Sequence, residues 1–227
     1  DIASPFSNFA PGNSPDPTRY LTYELGVHGW PLLGLYYDAS LFQVTARDRI
    51  ESRQLSLTET VDVNTGDTRS RGAELEASWD VLRLLPQIPP RQHLELFANA
   101  SLLNARFTAS ALPGQTGKVP AYAPRYVLKA GATLRVEPRV KLSLIAESVA
   151  AQYFQDSDLP IGTTPARIPG YTVADFSCDV LITPHIRLLG GISNLTDRRY
   201  YSRVFISRGL LEPALARSAY AGAAYDF

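Results

Sequence analysis

The 227-residue chain has one cysteine, no methionine, three histidines and no excess of charge of either sign. Each shortage removes a class of explanation. A single Cys178 cannot close an internal disulfide, and without CxxC or Cys/His clusters a structural zinc site has no ligand set. His28, His93 and His185 stand on separate segments with no glutamate at metalloprotease spacing, so no metal site is expected. Lys plus Arg equals Asp plus Glu at 22 each, which gives no electrostatic pull toward nucleic acid. No stretch approaches the roughly 18 consecutive apolar residues of a membrane-spanning helix, because Arg83 and Pro86 break VLRLLPQIPP. There is no GxSxG elbow and no Walker loop, so the chain is expected not to be an enzyme and to carry no cofactor. Asp62, Asn64 and Asp67 have a superficial likeness to a calcium loop, but Ala73 stands where the last carboxylate should be. A charged-then-apolar leader is missing too, and the chain begins at Asp1, as a processed chain or a piece of a longer one would.

What is present is alternation. Apolar residues recur with period two almost from end to end, the pattern of strands with one apolar and one polar face. In HLELFANASLLN, Leu94, Leu96, Ala98, Ala100 and Leu102 form one row, and Glu95, Asn99 and Ser101 punctuate the other. Tyr126, Leu128, Ala130, Ala132, Leu134 and Val136 stand against Arg125, Lys129, Thr133, Arg135 and Glu137. Ala174, Phe176, Cys178, Val180 and Ile182 stand against Asp175, Ser177 and Asp179, which makes Cys178 a small apolar residue of its row. Nine long strands are expected, near 19–30, 32–50, 67–82, 92–107, 124–137, 139–155, 168–183, 185–198 and 216–227.

The connections alternate in length. GWP, VEPR and ITPH are tight turns, whereas 51–66, 108–123, 156–167 and 199–215 are long and rich in turn formers. A soluble sandwich builds on strands of about 5–6 residues. A transmembrane barrel needs about 9–11 residues to cross, short turns on one side, long loops on the other, and an apolar row toward lipid. The sequence fits the second case, and Glu74, Glu76, Asp80, Lys129, Arg135, Lys141, Glu147, Asp175 and Asp179 all fall on the polar row, away from lipid. The fold class read from this pattern is all-β, an antiparallel transmembrane β-barrel segment. Nine strands cannot close antiparallel, and single-chain bacterial barrels have an even strand number. Residues 1–227 therefore read as the carboxyl-terminal part of a larger barrel, with earlier strands outside this chain.

Several stretches resemble the barrel of TonB-dependent outer-membrane receptors. NTGDTRSRGAE is similar to that family's N-x-G-x-x-R-x-x-G-x-E strand entry through Asn64, Gly66, Arg69, Gly72 and Glu74. VPAYAPRYVLKAG resembles its Pro-rich loop running into a strand, through Pro120, Pro124 and Arg125. PGYTVADF resembles its Gly-Tyr-x-x-x-Asp strand, and ISNLTDRRYYSRVF its N-L-x-D-x-x-Y signature through Asn194, Leu195, Asp197 and Tyr200. The resemblance implies the last nine strands of a 22-stranded barrel whose lumen is plugged. It further implies residence in the bacterial outer membrane and gating by the TonB energy-coupling protein of the inner membrane. The expected function is uptake of a ferric siderophore or ferric citrate-like chelate. A corrinoid, a quinone cofactor or an oligosaccharide is the alternative ligand, and a passive porin or barrel anchor the alternative class.

Ferric chelates are mostly anionic, so arginines and tyrosines converging from loops would supply charge-assisted hydrogen bonds and stacking faces. Arg125, Tyr153, Arg167, Arg203 and Arg208 are the candidates, and contact with lipopolysaccharide phosphates is the competing reading of the same residues. Tyr37, Tyr126 and Trp79 lie on the apolar row and suit interface aromatics. Asn194 is expected to hold a strand-to-loop transition. The terminal strand, with Tyr225 and Phe227 on its apolar row, resembles the signal recognised by the β-barrel assembly machinery.

Overall fold

The computed structural model describes residues 15–54, 60–111, 113–156, 166–205 and 210–225. Its framework is one antiparallel sheet of nine strands. In chain order these are β1 (Arg19–Leu32), β2 (Leu35–Gln54), β3 (Thr60–Asp80), β4 (Gln92–Ser110), β5 (Tyr126–Val136) and β6 (Val140–Val149), then β9 (Tyr171–Thr183), β10 (Ile186–Ser193) and β13 (Ser218–Tyr225). Every strand pairs with the next in this series, so the sheet is a meander. Two short ladders stand apart, β7 (Gln152–Tyr153) with β8 (Arg167–Ile168), and β11 (Tyr201–Phe205) with β12 (Leu210–Pro213). A four-residue 3-10 turn, Val81–Leu84, is the one helical element among the described residues.

The two faces are sorted as the alternation dictates. Register places His28, Asp38, Glu76, Asn99, Lys129 and Glu147 side by side across six strands. One residue along, Val27, Ala39, Leu75, Ala100 and Leu128 line up on the opposite face. Because side chains alternate strictly, a one-residue slip anywhere would exchange the faces, so the pattern pins the register. Two ion pairs cross strands on the polar face: Arg135 lies 3.0 Å from Glu95 and Arg187 3.1 Å from Asp179.

Glycines on the polar face make room for rings. Phe42 is the register partner of Gly72, Phe97 of Gly131 and Tyr220 of Gly191. A Cβ at Gly72 would stand 2.3 Å from Phe42 Cζ, at Gly131 2.7 Å from Phe97 Cε1, and at Gly191 2.6 Å from the Tyr220 hydroxyl. Each ring covers the strand where its glycine leaves backbone bare, the arrangement that offsets the weak β-propensity of glycine.

Three expected boundaries move. Segment 51–66 was expected as a loop, yet the β2–β3 ladder continues through Ile50↔Asn64 to Gln54↔Thr60, past irregularities around Ala46, Arg49 and Ile50. The strand expected over 139–155 stops at Val149, and residues 152–153 join their own ladder instead. The strand expected over 185–198 stops at Ser193, where Asn194 takes φ 53°, a left-handed conformation that turns the chain out of the ladder. The most deeply buried side chains, Phe107, Phe154 and Ile168, all sit at the long-loop end of the sheet. Phe154, Ile168 and Val204, with Leu211 against them, join the two short ladders into a single cluster.

Candidate functional site

The sequence motifs meet one another at the long-loop end. The Asn194 N–H donates to Asp175 Oδ1 at 2.7 Å, joining the N-L-x-D segment to the Gly-Tyr-x-x-x-Asp strand. Tyr171 and Tyr200, from the same two motifs, stack with ring centroids 4.3 Å apart, and the Tyr171 hydroxyl donates to Glu147 Oε1 at 3.4 Å. Asn194 Nδ2 donates to the Arg198 carbonyl at 2.9 Å and the Leu215 carbonyl at 3.4 Å, while Asn194 Oδ1 accepts the Arg198 N–H at 2.8 Å. Residues 198 and 215 are the two ends of one loop, so this buried side chain closes its neck. Asp197 does the same from the other side, accepting the Arg217 N–H at 3.1 Å, a bond that holds its carboxyl below the usual range. The structural role expected for Asn194 is therefore what it performs.

The strand-entry motif also works through backbone. Asn64 Nδ2 donates to the Asp48 carbonyl at 2.7 Å, and its Oδ1 accepts the Asp16 N–H at 2.8 Å. Gly66 has φ 141°, and a Cβ there would approach the Ala109 carbonyl oxygen to 2.2 Å, so no other residue fits.

Of the five candidate ligand residues, three come together. Arg125, Tyr153 and Arg167 line one pocket of about 290 Å³ with Arg106 and Lys118. The Arg167 guanidinium lies 5.2 Å from the Tyr153 ring centroid and donates to the Ala151 carbonyl at 3.4 Å. The Pro-rich loop builds its floor: the Tyr122 N–H donates to the Tyr153 carbonyl at 2.8 Å, and the Ala121 N–H to Asp156 Oδ1 at 2.5 Å. Arg203 is elsewhere, paired across the β11–β12 ladder with Glu212, a charge-assisted contact that lowers the Glu212 carboxyl and raises the guanidinium. Arg208 and Phe227 lie outside the described residues. Tyr225, opposite Ile186 on the apolar face, is more than half exposed, with the His185 ring 6.0 Å away.

Arg106 and Lys118 were not among the sequence candidates. Arg106 was findable, since it continues the outward row Leu102, Asn104, Arg106 by two-residue steps. Lys118 is placed by the fold-back of its loop, where the Phe107 N–H donates to the Lys118 carbonyl, and no spacing rule anticipates that.

On the polar face a larger concavity, about 740 Å³, is lined by Glu24, Asp38, Glu74, Glu76, Lys129 and Glu147, among others. No group of three or more His, Cys, Asp or Glu among the described residues has the geometry to hold a metal ion. His93 is occupied otherwise, its Nδ1 2.6 Å from Asp80 Oδ2 near the short-turn end.

Comparison with known proteins agrees with this architecture. The closed form of the ferric-catecholate import receptor Fiu from E. coli superposes with a TM-score of 0.72 at 19% identity, covering 97% of this chain and 30% of that one. The ferric citrate transporter FecA in its unliganded form gives 0.73 at 20% identity, covering 90% of this chain and 31% of that one. The copper transporter OprC gives 0.70 at 17%, with 95% and 31% covered. At these identities the likeness is one of fold, and the chain spans about a third or less of each structure's length. No curated protein sequence matches. The family model for the TonB dependent receptor-like β-barrel matches residues 3–195, most of the sequence, and the chain belongs to that family.

Proposed function

We propose that the protein is an outer-membrane receptor for TonB-dependent uptake of a ferric siderophore or a ferric citrate-like chelate. The observation that carries this reading is the pairing of a two-faced barrel wall with long-loop ends clipped by the family's own motifs. A wall whose apolar face meets lipid and whose polar face meets an aqueous or plugged lumen suits transport, and no residue is assigned a catalytic role. Fiu and FecA, whose ligands are ferric chelates by their names, support the iron reading, and OprC shows that copper transport uses the same wall. Coupling to TonB would act through a plug outside this chain. Insertion would use the terminal strand with Tyr225 and Phe227, read by the barrel-assembly machinery.

Chelate contacts are proposed at Arg203 and Arg208, on the loop whose neck Asn194 closes. The same proposal extends to Arg125, Tyr153 and Arg167, which share one pocket with Arg106 and Lys118. The test is binding of ferric citrate and a ferric catecholate to the full-length receptor, with uptake measured in cells with and without TonB. Saturable binding of one of them, uptake that requires TonB, and a loss of roughly tenfold in affinity for Arg203→Ala are expected, the last from one charge-assisted contact. Uptake unaffected by TonB, or no ferric-chelate binding, would overturn the proposal in favour of a porin or another nutrient.

A further inference from the structure

At the short-turn end β1–β2, β5–β6 and β9–β10 are joined by two or three residues, whereas β3 and β4 are joined by residues 81–91. This segment, VLRLLPQIPPR, holds five aliphatic side chains, three prolines, two arginines and no carboxylate. It is built of successive turns: the Leu85 N–H donates to the Leu82 carbonyl at 3.0 Å, Ile88 to Leu85 at 2.9 Å and Gln92 to Pro89 at 3.0 Å. Its ends are clipped to the neighbouring connections, since the Asp80 N–H donates to the Gly34 carbonyl and the Glu137 N–H to the Arg91 carbonyl, both at 2.9 Å. Asp80 tightens the entry further, accepting from Arg83 Nε and from the Leu94 N–H, each at 3.2 Å. Held in this way, the segment presents its leucines outward. Leu84 and Leu85 are more than two-fifths exposed, and Leu32 and Leu33 of the adjoining turn more than half. A groove of about 300 Å³ runs between the two connections, with Leu33, Leu82, Leu85, Pro86, Ile88 and Pro89 along it.

Clustered apolar side chains on an ordered turn call for a cover, and the sheet register indicates which. The apolar row does not stop short of the turns. Leu32, Leu35, Trp79 and Leu96 form one level of it, and Leu94, Leu134 and Leu142 the next. The level after that is Val136, Val140 and Val180, the closing pair of the β5–β6 hairpin and its neighbour on β9. Gln92, the first residue of β4, stands on this same last level. The segment therefore leaves and rejoins the sheet at the edge of the apolar band, and its leucines continue that band rather than interrupt it. Arg83 and Arg91 fit this depth, because an arginine keeps its aliphatic stem in an apolar layer while its guanidinium reaches the polar boundary. A peptide-binding partner fits poorly, since Pro-rich segments are recognised as extended polyproline helices and three successive turns leave no extended run.

We propose that the β3–β4 connection is an interfacial anchor, with Leu84 and Leu85 seated among the phospholipid acyl chains of the leaflet at the short-turn end, the periplasmic leaflet of a bacterial barrel. The inference rests on the apolar face meeting lipid and is independent of the ligand transported. The test places the photocrosslinker p-benzoylphenylalanine singly at Leu84, Leu85, Leu96 or Asn99 of the full-length receptor, in nanodiscs of phosphatidylethanolamine and phosphatidylglycerol, and identifies the adducts by mass spectrometry. Leu96 reports the apolar face and Asn99 the polar face. Phospholipid adducts are expected at Leu84 and Leu85 in yields comparable with Leu96, and none at Asn99. The probe at Leu85 repeats the measurement should the one at Leu84 disturb folding. A second readout is thermal unfolding in the same nanodiscs: L84D/L85D, harmless on a wetted turn, should lower the midpoint, and L84M/L85M should leave it unchanged. Absence of lipid adducts at both positions while Leu96 is labelled, crosslinks to polypeptide in their place, or an unshifted midpoint for L84D/L85D would overturn the proposal.

Discussion

At the scale of single residues, glycine carries more of the design than any charged group. At Gly72 and Gly131 the obstruction to a side chain is partly backbone, since an added Cβ would stand 2.5 Å from the Leu102 carbonyl oxygen and 2.6 Å from that of Leu144. Backbone cannot rotate out of the way as a ring can. Gly72→Ala and Gly131→Ala should therefore each destabilise the folded wall by about 1–3 kcal/mol, the usual cost of overpacking. Gly26→Ala is the internal comparison, because its added Cβ would meet its nearest atom at an ordinary 3.6 Å. Thermal unfolding of the full-length receptor in detergent would measure all three, and equal midpoints for Gly26→Ala and Gly131→Ala would refute the packing account. Asn194 belongs to this scale as well: the signature asparagine expected to hold a strand-to-loop transition spends both ends of its amide on backbone.

At the scale of elements, the β11–β12 hairpin is held by a pair that titrates. Arg203 lowers the Glu212 carboxyl from its ordinary 4.5, and the Arg217 N–H lowers Asp197 at the neck of the same loop. A depressed carboxyl contributes its stabilisation fully above the unfolded value and loses it as pH falls through the folded one. Between neutrality and the upper edge of the ordinary carboxylate range the loop should keep one protease sensitivity. Further acidification should raise it, and E212Q/D197N should flatten the response. The effect should be small and sensitive to salt, because both acidic groups face solvent. An acid-stable protease assayed across that window reads it, and a rise that began well above pH 5 would contradict the assignment. The same loops show why elements were unevenly legible. Inside the membrane zone each strand has one lipid-facing row, so Leu94 to Leu102 and Tyr126 to Val136 announce themselves by period two. Residues 51–54, Glu-Ser-Arg-Gln, offer no apolar row, and the β2–β3 ladder through 51–54 and 60–63 is carried by backbone hydrogen bonds the side-chain pattern does not record. The pocket of Arg125, Tyr153 and Arg167 was legible as residue types, but which face it opens on was not. That depends on how residues 117–125 fold back onto β4, a contact between distant backbone groups.

At the scale of the whole molecule, the wall is a boundary between two solvents, and the sorting of its faces is what makes it one. Neighbouring residues should therefore respond oppositely to the same substitution. Ala98 lies between Ala77 and Ala130 on the apolar face, whereas Asn99 lies between Glu76 and Lys129 on the polar face. Both are exposed in the sheet, so packing does not distinguish them and only the medium does. Ala98→Arg places a guanidinium near the middle of the lipid-facing band, where the penalty is about 2–4 kcal/mol. Asn99→Arg places it beside Glu76 and above an acidic concavity, where a cation is welcome. Folding yield read by heat-modifiable migration, together with surface exposure in cells, should drop for Ala98→Arg and hold for Asn99→Arg. If the two variants assembled equally well, the assignment of the apolar face to lipid would fall. The transport proposal would fall with it, since it takes its orientation from that face.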